Sequence, residues 1–354
     1  MKKKIVSVVG ARPQFVKLAP LSVFMREEFQ EIVVHTGQHY DYNMSQSFFE
    51  ELRIPRPSYF LEVGSGTHGV QTGEMLIKLE NVFLKENPDL VIVFGDTNST
   101  LAGALAASKQ LIRTIHIEAG LRSFNKVMPE EINRVVADHV SDFLFAPTST
   151  AMTNLEAENL LNKSFFTGDI MVESLKTAVE RSKRSTLIDK YSLKKSLYYL
   201  LTLHRPYNVD NSSILSRILT ELGKINIKVV FPVHPRTLKI LQDNNIKMPA
   251  NFLPIEPAGY FDFIALQQYS QKIITDSGGI QKESYILKKP CITLRSETEW
   301  VETVKSGWNL LINPINDTDY YKRIEEFLPE SEHKSLFGEN VAYSMLEIIR
   351  NKIG

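Results

Sequence analysis

Residues 275–283 read Thr-Asp-Ser-Gly-Gly-Ile-Gln-Lys-Glu, a pattern that could hold an anion. The apolar pair Ile273-Ile274 before them reads as the end of a buried strand, and residues 280–288 read as a helix. Paired glycines at a strand-to-helix turn present backbone N–H groups and the positive end of the helix dipole to an anion. Glu283 lies about one turn inside the helix, within reach of a sugar hydroxyl beside that anion. A diphosphate carrying a ribose would suit such a site. An ordinary tight turn with Ser277 as the helix cap would use the same residues.

Other reactive residue types stand directly after apolar runs. Gly10-Ala11-Arg12-Pro13 follows the first run, and Pro13 suits the first position of a helix. Arg12 then projects from the helix entrance, where it can pair with a phosphate, a solvated arginine being the plain alternative. Asp96 follows the third run, Glu118 stands at the end of the fourth, and Pro129-Glu130-Glu131 opens a helix nearby. Singly, Asp96 reads as an N-cap, and Glu130 and Glu131 as complements to a helix dipole. As a set converging on one cleft they would raise one another's pKa, which makes a carboxylate a proton carrier near neutral pH. His204, in Leu203-His204-Arg205-Pro206, is a candidate proton carrier or phosphate donor, with a structural histidine as the alternative. Phe263 lies in a helical stretch upstream of the Ser-Gly-Gly turn, placed for core packing or beside a base.

The elements that must position these residues follow from the pattern of apolar runs. In the first half they cover residues 5–9, 32–36, 90–95, 114–119 and 143–146. In the second they cover 198–203, 229–233, 272–275, 291–294 and 310–312. Nearly continuous apolar strands alternating with helices imply parallel sheets covered on both faces. Two such series imply an α/β protein of two doubly wound domains, residues 1–168 and 169–338, with a boundary near Gly168. The polar stretch 182–196, dense in Lys, Arg and Ser, reads as a linker or exposed helix, and residues 340–353 as an amphipathic helix free to dock on either domain. Ligands of open parallel sheets sit beyond the C-terminal strand ends, where the residues above are found.

The totals limit the function classes. The chain has 354 residues with 43% hydrophobic and 23% charged content, values typical of a soluble globular protein. A formal net charge of +0 calls for neither nucleic acid nor an anionic membrane. The apolar run after Met-Lys-Lys-Lys is too short for a signal peptide or membrane span, so the expected compartment is the cytoplasm. Cys291 is the single cysteine, which excludes a disulfide framework or multi-cysteine metal site and reads as a buried small hydrophobe. Gly64-Ser65-Gly66-Thr67-His68-Gly69 matches a dinucleotide fingerprint, but it does not follow the first strand of a domain. It reads as a loop, one that could close over a ligand. His35 and His39 have metal-like spacing, yet Thr36-Gly37 between them interrupts any helix, so no zinc site is expected.

With these residues assembled, the chain resembles the non-hydrolysing UDP-N-acetylglucosamine 2-epimerase family over essentially its whole length. The matching pieces, in order, are GARPQFVK, TGQHYD, FGDTNST, HIEAGLRS, MPEEINR, TLHRPYNVD, HPRT, TDSGGIQKES and TEWVE. The resemblance implies two Rossmann-like domains in a GT-B-like arrangement, an active site in the cleft between them, a last helix of about residues 339–354 crossing back to the first domain, and a homodimer. It implies Asp96, Glu118, Glu130 and His204 as the catalytic set, Glu130 being the first acid after the proline. It also implies Arg12, Lys17, Phe263, Ser277, Gly278, Gly279 and Glu283 as the substrate-binding set. Within that set Arg12 and residues 277–279 meet the diphosphate, Glu283 the ribose, and the main chain at Phe263 the uracil.

The implied reaction eliminates UDP across C1–C2 of a UDP-linked 2-acetamido sugar to give a glycal, then adds UDP back after protonation on the other face. It requires no metal and no nicotinamide or other cofactor, and would serve polysaccharide biosynthesis. The chain departs from the family's usual form at Gln14 in place of Glu, Tyr207 in place of an acid, and Trp300-Val301 in place of Arg-Pro. These departures resemble relatives that epimerise UDP-2,3-diacetamido-2,3-dideoxy-glucuronate, and leave the C3 and C6 substituents open. A glycosyltransferase on the same fold and an inactive nucleotide-sugar sensor are the rival readings.

Overall fold

Every strand pairing among the described residues is parallel. The computed structural model describes residues 2–37, 49, 52 and 54–353. The chain divides into two units, Met1–Ser174 with Leu336–Gly354, and Leu175–Ser335.

The first unit holds β1 (Lys4–Val9), β2 (Gln30–His35), β3 (Tyr59–Phe60), β4 (Leu90–Phe94), β5 (Thr114–Ile117), β6 (Phe143–Ala146) and β7 (Ser164–Phe166). Their order is β3-β2-β1-β4-β5-β6-β7. The second holds β8 (Tyr198–Thr202), β9 (Lys228–Pro232), β10 (Phe252–Ile255), β11 (Lys272–Thr275), β12 (Cys291–Thr293) and β13 (Asn309–Leu311), in the order β10-β9-β8-β11-β12-β13. Both are doubly wound. The winding reverses between β1 and β4 in one sheet and between β8 and β11 in the other, and such a reversal opens a crevice at the strand ends.

The apolar runs are continuous because both sheet faces are covered. Ile5, Val9, Leu90, Ile92 and Phe94 pack into one cluster, while Val6, Val8, Val91 and Val93 pack into another on the opposite side. In the second sheet Tyr199 and Leu201 part from Tyr198 and Leu200 in the same way. The runs read from the sequence all became strands, with ends differing by a residue or two. Three strands carried no comparable signal: β3, β7 and β10, each at a sheet edge. Edge strands are short and half-covered, and β10 contains Pro254, which an interior strand would not tolerate.

Two boundaries differ from the sequence reading. The boundary expected near Gly168 compares with a division after Ser174, and Asp169 N–H donates to Phe337 O at 2.8 Å within the first unit. Gly168 has φ +84°, and a Cβ there would lie 2.7 Å from that same carbonyl. Residues 182–196 are not a linker: helix Leu187–Lys190 and Leu193 pack in the second unit around Leu266 and Ile273. The last helix, Val341–Ile353, belongs to the first unit. Its Val341, Ala342, Met345, Leu346, Ile349 and Ile353 face the cluster that holds Leu18, Leu21 and Met25 of helix Arg12–Glu28. Arg350 pairs with Glu28 at the rim of that contact. Among the described residues no helix is long and apolar enough to cross a membrane.

The docking of the last helix gives the first test. Ile349 is fully buried, so Ile349→Ala should cost about 2–5 kcal/mol. Urea titration should show a lower midpoint for the first unit's transition, with that of the second unit unchanged.

Candidate active site

In the first unit, the ends of three adjacent strands, β1, β4 and β5, bring the candidates together. Phe94 and Ile117 are register partners, so Gly95 and Glu118 leave neighbouring strands side by side. Lys17, from helix Arg12–Glu28, forms an ion pair with Glu118, and both side chains are more than nine-tenths buried. A Cβ on Gly95 would sit 3.1 Å from Lys17 Nζ and 3.2 Å from Glu118 Oε2, so that glycine leaves room for the pair. Glu118 itself has φ +76°. Such a conformation costs on the order of 1–3 kcal/mol in a residue with a side chain and persists where the surroundings enforce it. Here the N–H groups of Glu118 and Ala119 both donate to Phe145 O, at 3.1 and 3.0 Å.

Asp96 does not cap the helix Asn98–Lys109; Thr97 does, its side chain accepting from Thr100 N–H. The Asp96 carboxylate is about one-third exposed and accepts from Arg134 Nη2 at 2.5 Å. Of the two acids that open helix Pro129–Val140, Glu131 is fully occupied. It accepts from Ser123 N–H, Ser123 Oγ and Phe124 N–H, each at 2.9 Å, and from Arg134 at 3.0 Å. Burial works to raise its pKa, but these donors hold the carboxyl below its ordinary value. Glu130 stays partly exposed. Arg12 is exposed at the entrance of its helix, with Pro13 beside it.

In the second unit, the crevice between β8 and β11 carries the other candidates. Thr202 and Thr275 are register partners and share a 2.7 Å hydroxyl hydrogen bond. Beyond them stand His204 and the Ser277-Gly278-Gly279 turn, which starts helix Gly278–Ile286. Ser277 is at the N-cap position, yet its side chain makes no capping hydrogen bond, so the simple cap reading does not describe it. Gly279 is exposed and a Cβ there would meet nothing closer than 3.9 Å. At Gly278 a Cβ would collide with the Glu299 carboxylate. Glu283 is buried one turn on and accepts from Gln267 Nε2 at 2.6 Å. Phe263 shares helix Tyr260–Tyr269 with Gln267 and packs, partly buried, beside Leu266 and Ile273.

Four residues left out of the sequence-derived site turn out to shape it. Asp276 is fully buried and accepts from His204 N–H, Arg205 N–H at 3.0 Å and Asn208 Nδ2 at 3.1 Å, with His204 Nδ1 also at 3.1 Å. Burial favours its protonation, but the His204 side chain and the other donors keep the carboxyl below its ordinary value. An ionised carboxylate only accepts, so Nδ1 of His204 is the donor in that contact. Gln267 orients Glu283. His116, on β5, bridges Asp138 and the Gly95 carbonyl that follows β4. Asp276 stands inside a quoted motif and was legible as a strand-end acid. Gln267, His116 and Asp138 gave no signal, because mid-helix and mid-strand residues declare nothing until their neighbours are known.

Two of the three departures have structural explanations. Gln14 is 1% exposed; its Oε1 accepts from Gly10 and Ala11 N–H at 2.7 and 3.0 Å, and its Nε2 donates to Phe94 O at 2.8 Å. It ties the loop after β1 to the end of β4. Trp300 is 3% exposed, and its ring lies 4.2 Å from Lys282 Nζ. Tyr207 is 43% exposed, and burial of its hydroxyl, outweighing nearby Arg295, pushes the phenol up to about 12. Of the histidines weighed as a metal pair, His39 lies outside the described residues. His35 is a buried ring between Phe15 and Phe60 whose Nδ1 accepts from Gly37 N–H, and burial pushes it down to about 4. The Gly64–Gly69 stretch is a loop running into helix His68–Glu86, after the edge strand β3.

Comparison with known proteins fits this geometry. The family model described as UDP-N-acetylglucosamine 2-epimerase matches residues 23–346. A UDP-N-acetylglucosamine 2-epimerase homolog of Methanococcus maripaludis is 51% identical over 98% of this chain and 99% of its own. The UDP-2,3-diacetamido-2,3-dideoxy-D-glucuronate 2-epimerase of Pseudomonas aeruginosa is 46% identical over 89% of each. The crystal structure of the Methanocaldococcus jannaschii UDP-GlcNAc 2-epimerase, in complex with UDP-GlcNAc and UDP, aligns with a TM-score of 0.89 at 43% identity, covering 99% of this chain and 100% of that one. Fold and site together define a GT-B-like α/β enzyme of nucleotide sugars. The chain belongs to the UDP-N-acetylglucosamine 2-epimerase family, whose members are isomerases.

The His204–Asp276 contact generates a second test. Asp276→Asn frees the ring to flip tautomer, and turnover should fall on the order of 10²-fold or more with UDP affinity retained. Asp276 has a lowered carboxyl pKa, so it adds stability above the ordinary carboxylate range that is lost as pH falls through its folded value, below about pH 4. The variant should lack that part of the acid limb in a melting-temperature profile. Turnover close to that of the unaltered enzyme would exclude the orienting role.

Proposed function

We propose that this chain interconverts the C2 epimers of a UDP-linked 2-acetamido sugar without hydrolysis, by eliminating UDP and adding it back. One observation carries the reading: the matched acids, His204 and the Ser-Gly-Gly turn all stand at or just beyond the C-terminal ends of parallel strands or at adjoining helix starts. C2 bears no adjacent carbonyl, so direct proton exchange there is difficult, and expelling UDP gives the chain a route through a glycal. In this reading Arg12 and the amides of residues 277–279 stabilise the departing diphosphate. Glu283 holds the ribose, and the main chain at Phe263 meets the uracil. Lys17, already paired with Glu118, sets the charge beside that acid. Asp96, Glu118, Glu130 and His204 supply the proton carriers and the carboxylate that faces positive charge developing at C1.

An acceptor-dependent transferase and an inactive sensor are disfavoured, because every one of the four reacting side chains is present. The experiment offers UDP-N-acetylglucosamine and the 2,3-diacetamido uronate analogue side by side in deuterated water without acceptor. Deuterium at C2 of either sugar is expected, and the faster of the two names the substituents at C3 and C6. Asp96→Asn, Glu118→Gln, Glu130→Gln and His204→Asn should each lower turnover by on the order of 10²–10⁴-fold. Turnover that needs an acceptor, or near-normal rates in two of these variants, would overturn the reading.

We further propose a cytoplasmic homodimer serving polysaccharide biosynthesis. Support for self-association comes from Val70, Ile77 and Leu84 of helix His68–Glu86, each more than half exposed and spaced by heptads into one apolar stripe. Ile77→Glu should shift the sedimenting species from dimer to monomer, and an unchanged dimer would place the interface elsewhere.

A further inference from the structure

Beneath the turns that carry Asp96 and Glu118 lies a pair of side chains that no step above uses. His116, on β5, and Asp138, on helix Pro129–Val140, are both fully buried. His116 Nδ1 lies 2.6 Å from Asp138 Oδ1, and its Nε2 lies 2.7 Å from Gly95 O. Asp138 Oδ2 accepts from Gly120 N–H at 3.0 Å and pairs with Arg122 Nη1 at 2.7 Å. Arg122 in turn holds Glu158 through two 2.7 Å contacts. Lys163 reaches only the backbone here, donating to Asp138 O at 2.9 Å.

The protons in this chain of contacts are assigned by what each partner can do. A carbonyl only accepts, so Nε2 of His116 carries a proton toward Gly95. Burial opposes ionisation of Asp138, but His116 and Arg122 hold its carboxyl below its ordinary value. Both ring nitrogens of His116 are engaged, one on each side, and Arg122 bridges Asp138 to Glu158.

We propose that the His116–Asp138 pair is a positioning device that holds the Gly95–Asp96 turn and the Glu118–Gly120 turn at a fixed separation. One end of the pair grips the carbonyl before Asp96 and the other grips the amide two residues after Glu118. Both turns run through left-handed backbone, at Gly95, Glu118 and Gly120, which would relax if ungripped. An apolar pair of similar volume would leave Gly95 O and Gly120 N–H unserved, so stability and placement both depend on these contacts. The inference rests on the reading of Asp96 and Glu118 as reacting groups.

The test compares His116→Gln, Asp138→Asn and the double variant, with Asp96→Asn and Glu118→Gln measured beside them. Each single positioning variant should lower kcat by about tenfold or more, leave KM within about threefold, and leave UDP affinity unchanged. The double variant should be no slower than the slower single, because both act through one contact. Should Asp138→Asn not fold, His116→Gln carries the test, since its amide still donates toward Gly95. A folded variant with a lowered melting temperature and kcat within about twofold of normal would reduce the pair to a structural role, and losses that multiply would show that the two residues act apart. Normal turnover in Asp96→Asn and Glu118→Gln would instead sink the assignment of those acids and leave the pair without a function to serve.

Discussion

Backbone N–H and C=O groups that emerge from the end of a parallel strand have left the ladder and still need partners. In this protein that requirement is met repeatedly by one buried side chain that serves several groups at once. Gln14 takes two amides after β1 and gives to the last carbonyl of β4. Asp276 takes the amides of His204 and Arg205 after β8. Glu131 takes the amides of Ser123 and Phe124, and His116 and Asp138 serve Gly95 and Gly120. An unserved buried group costs about 1–3 kcal/mol, so each of these residues is under strong constraint for a reason other than chemistry.

The consequence is a division of labour between adjacent residues. At two places one residue is consumed by the backbone while its neighbour keeps some exposure: Glu131 is buried and Glu130 partly exposed, and Asp276 is buried while the imidazole it contacts is half exposed. Pre-organisation of this kind keeps reorganisation out of the reaction step, which is where electrostatic stabilisation is worth most. The strained backbone at Glu118 fits the same logic. Its turn is gripped by Phe145 O on one side and Asp138 on the other, so the strain is borne by groups that are already buried and paired.

Substrate selection reads differently once burial is known. Gln14 clamps backbone groups at two strand ends, and Trp300 is a platform for the Lys282 ammonium, so each has an internal partner whatever else it meets. A residue that departs from a motif is as often answering a neighbour as a ligand. Tyr207 is the one of the three with an exposed side chain, and its phenol is neutral across the working range of pH.

The sequence alone determined the elements that repeat and the candidate positions at their ends. Interior parallel strands are legible because burial on both faces makes them unbroken apolar runs, and at the strand-to-helix turn a Cβ on Gly278 would collide with Glu299. From these came the doubly wound order of elements and the residues Arg12, Asp96, Glu118, His204 and Ser277–Gly279. Edge strands such as β3, β7 and β10 were silent, since a half-covered strand needs no apolar pattern. The partners Gln267, His116 and Asp138 were silent too. Each is a polar residue inside a regular element, and only the packing of that element decides whether its side chain meets solvent, a neighbour's charge or a bare carbonyl. Tertiary structure decided which partners each polar side chain meets, because hydrogen-bond occupancy depends on groups far apart in the chain, as Gly95 is from His116 and Glu283 from Gln267.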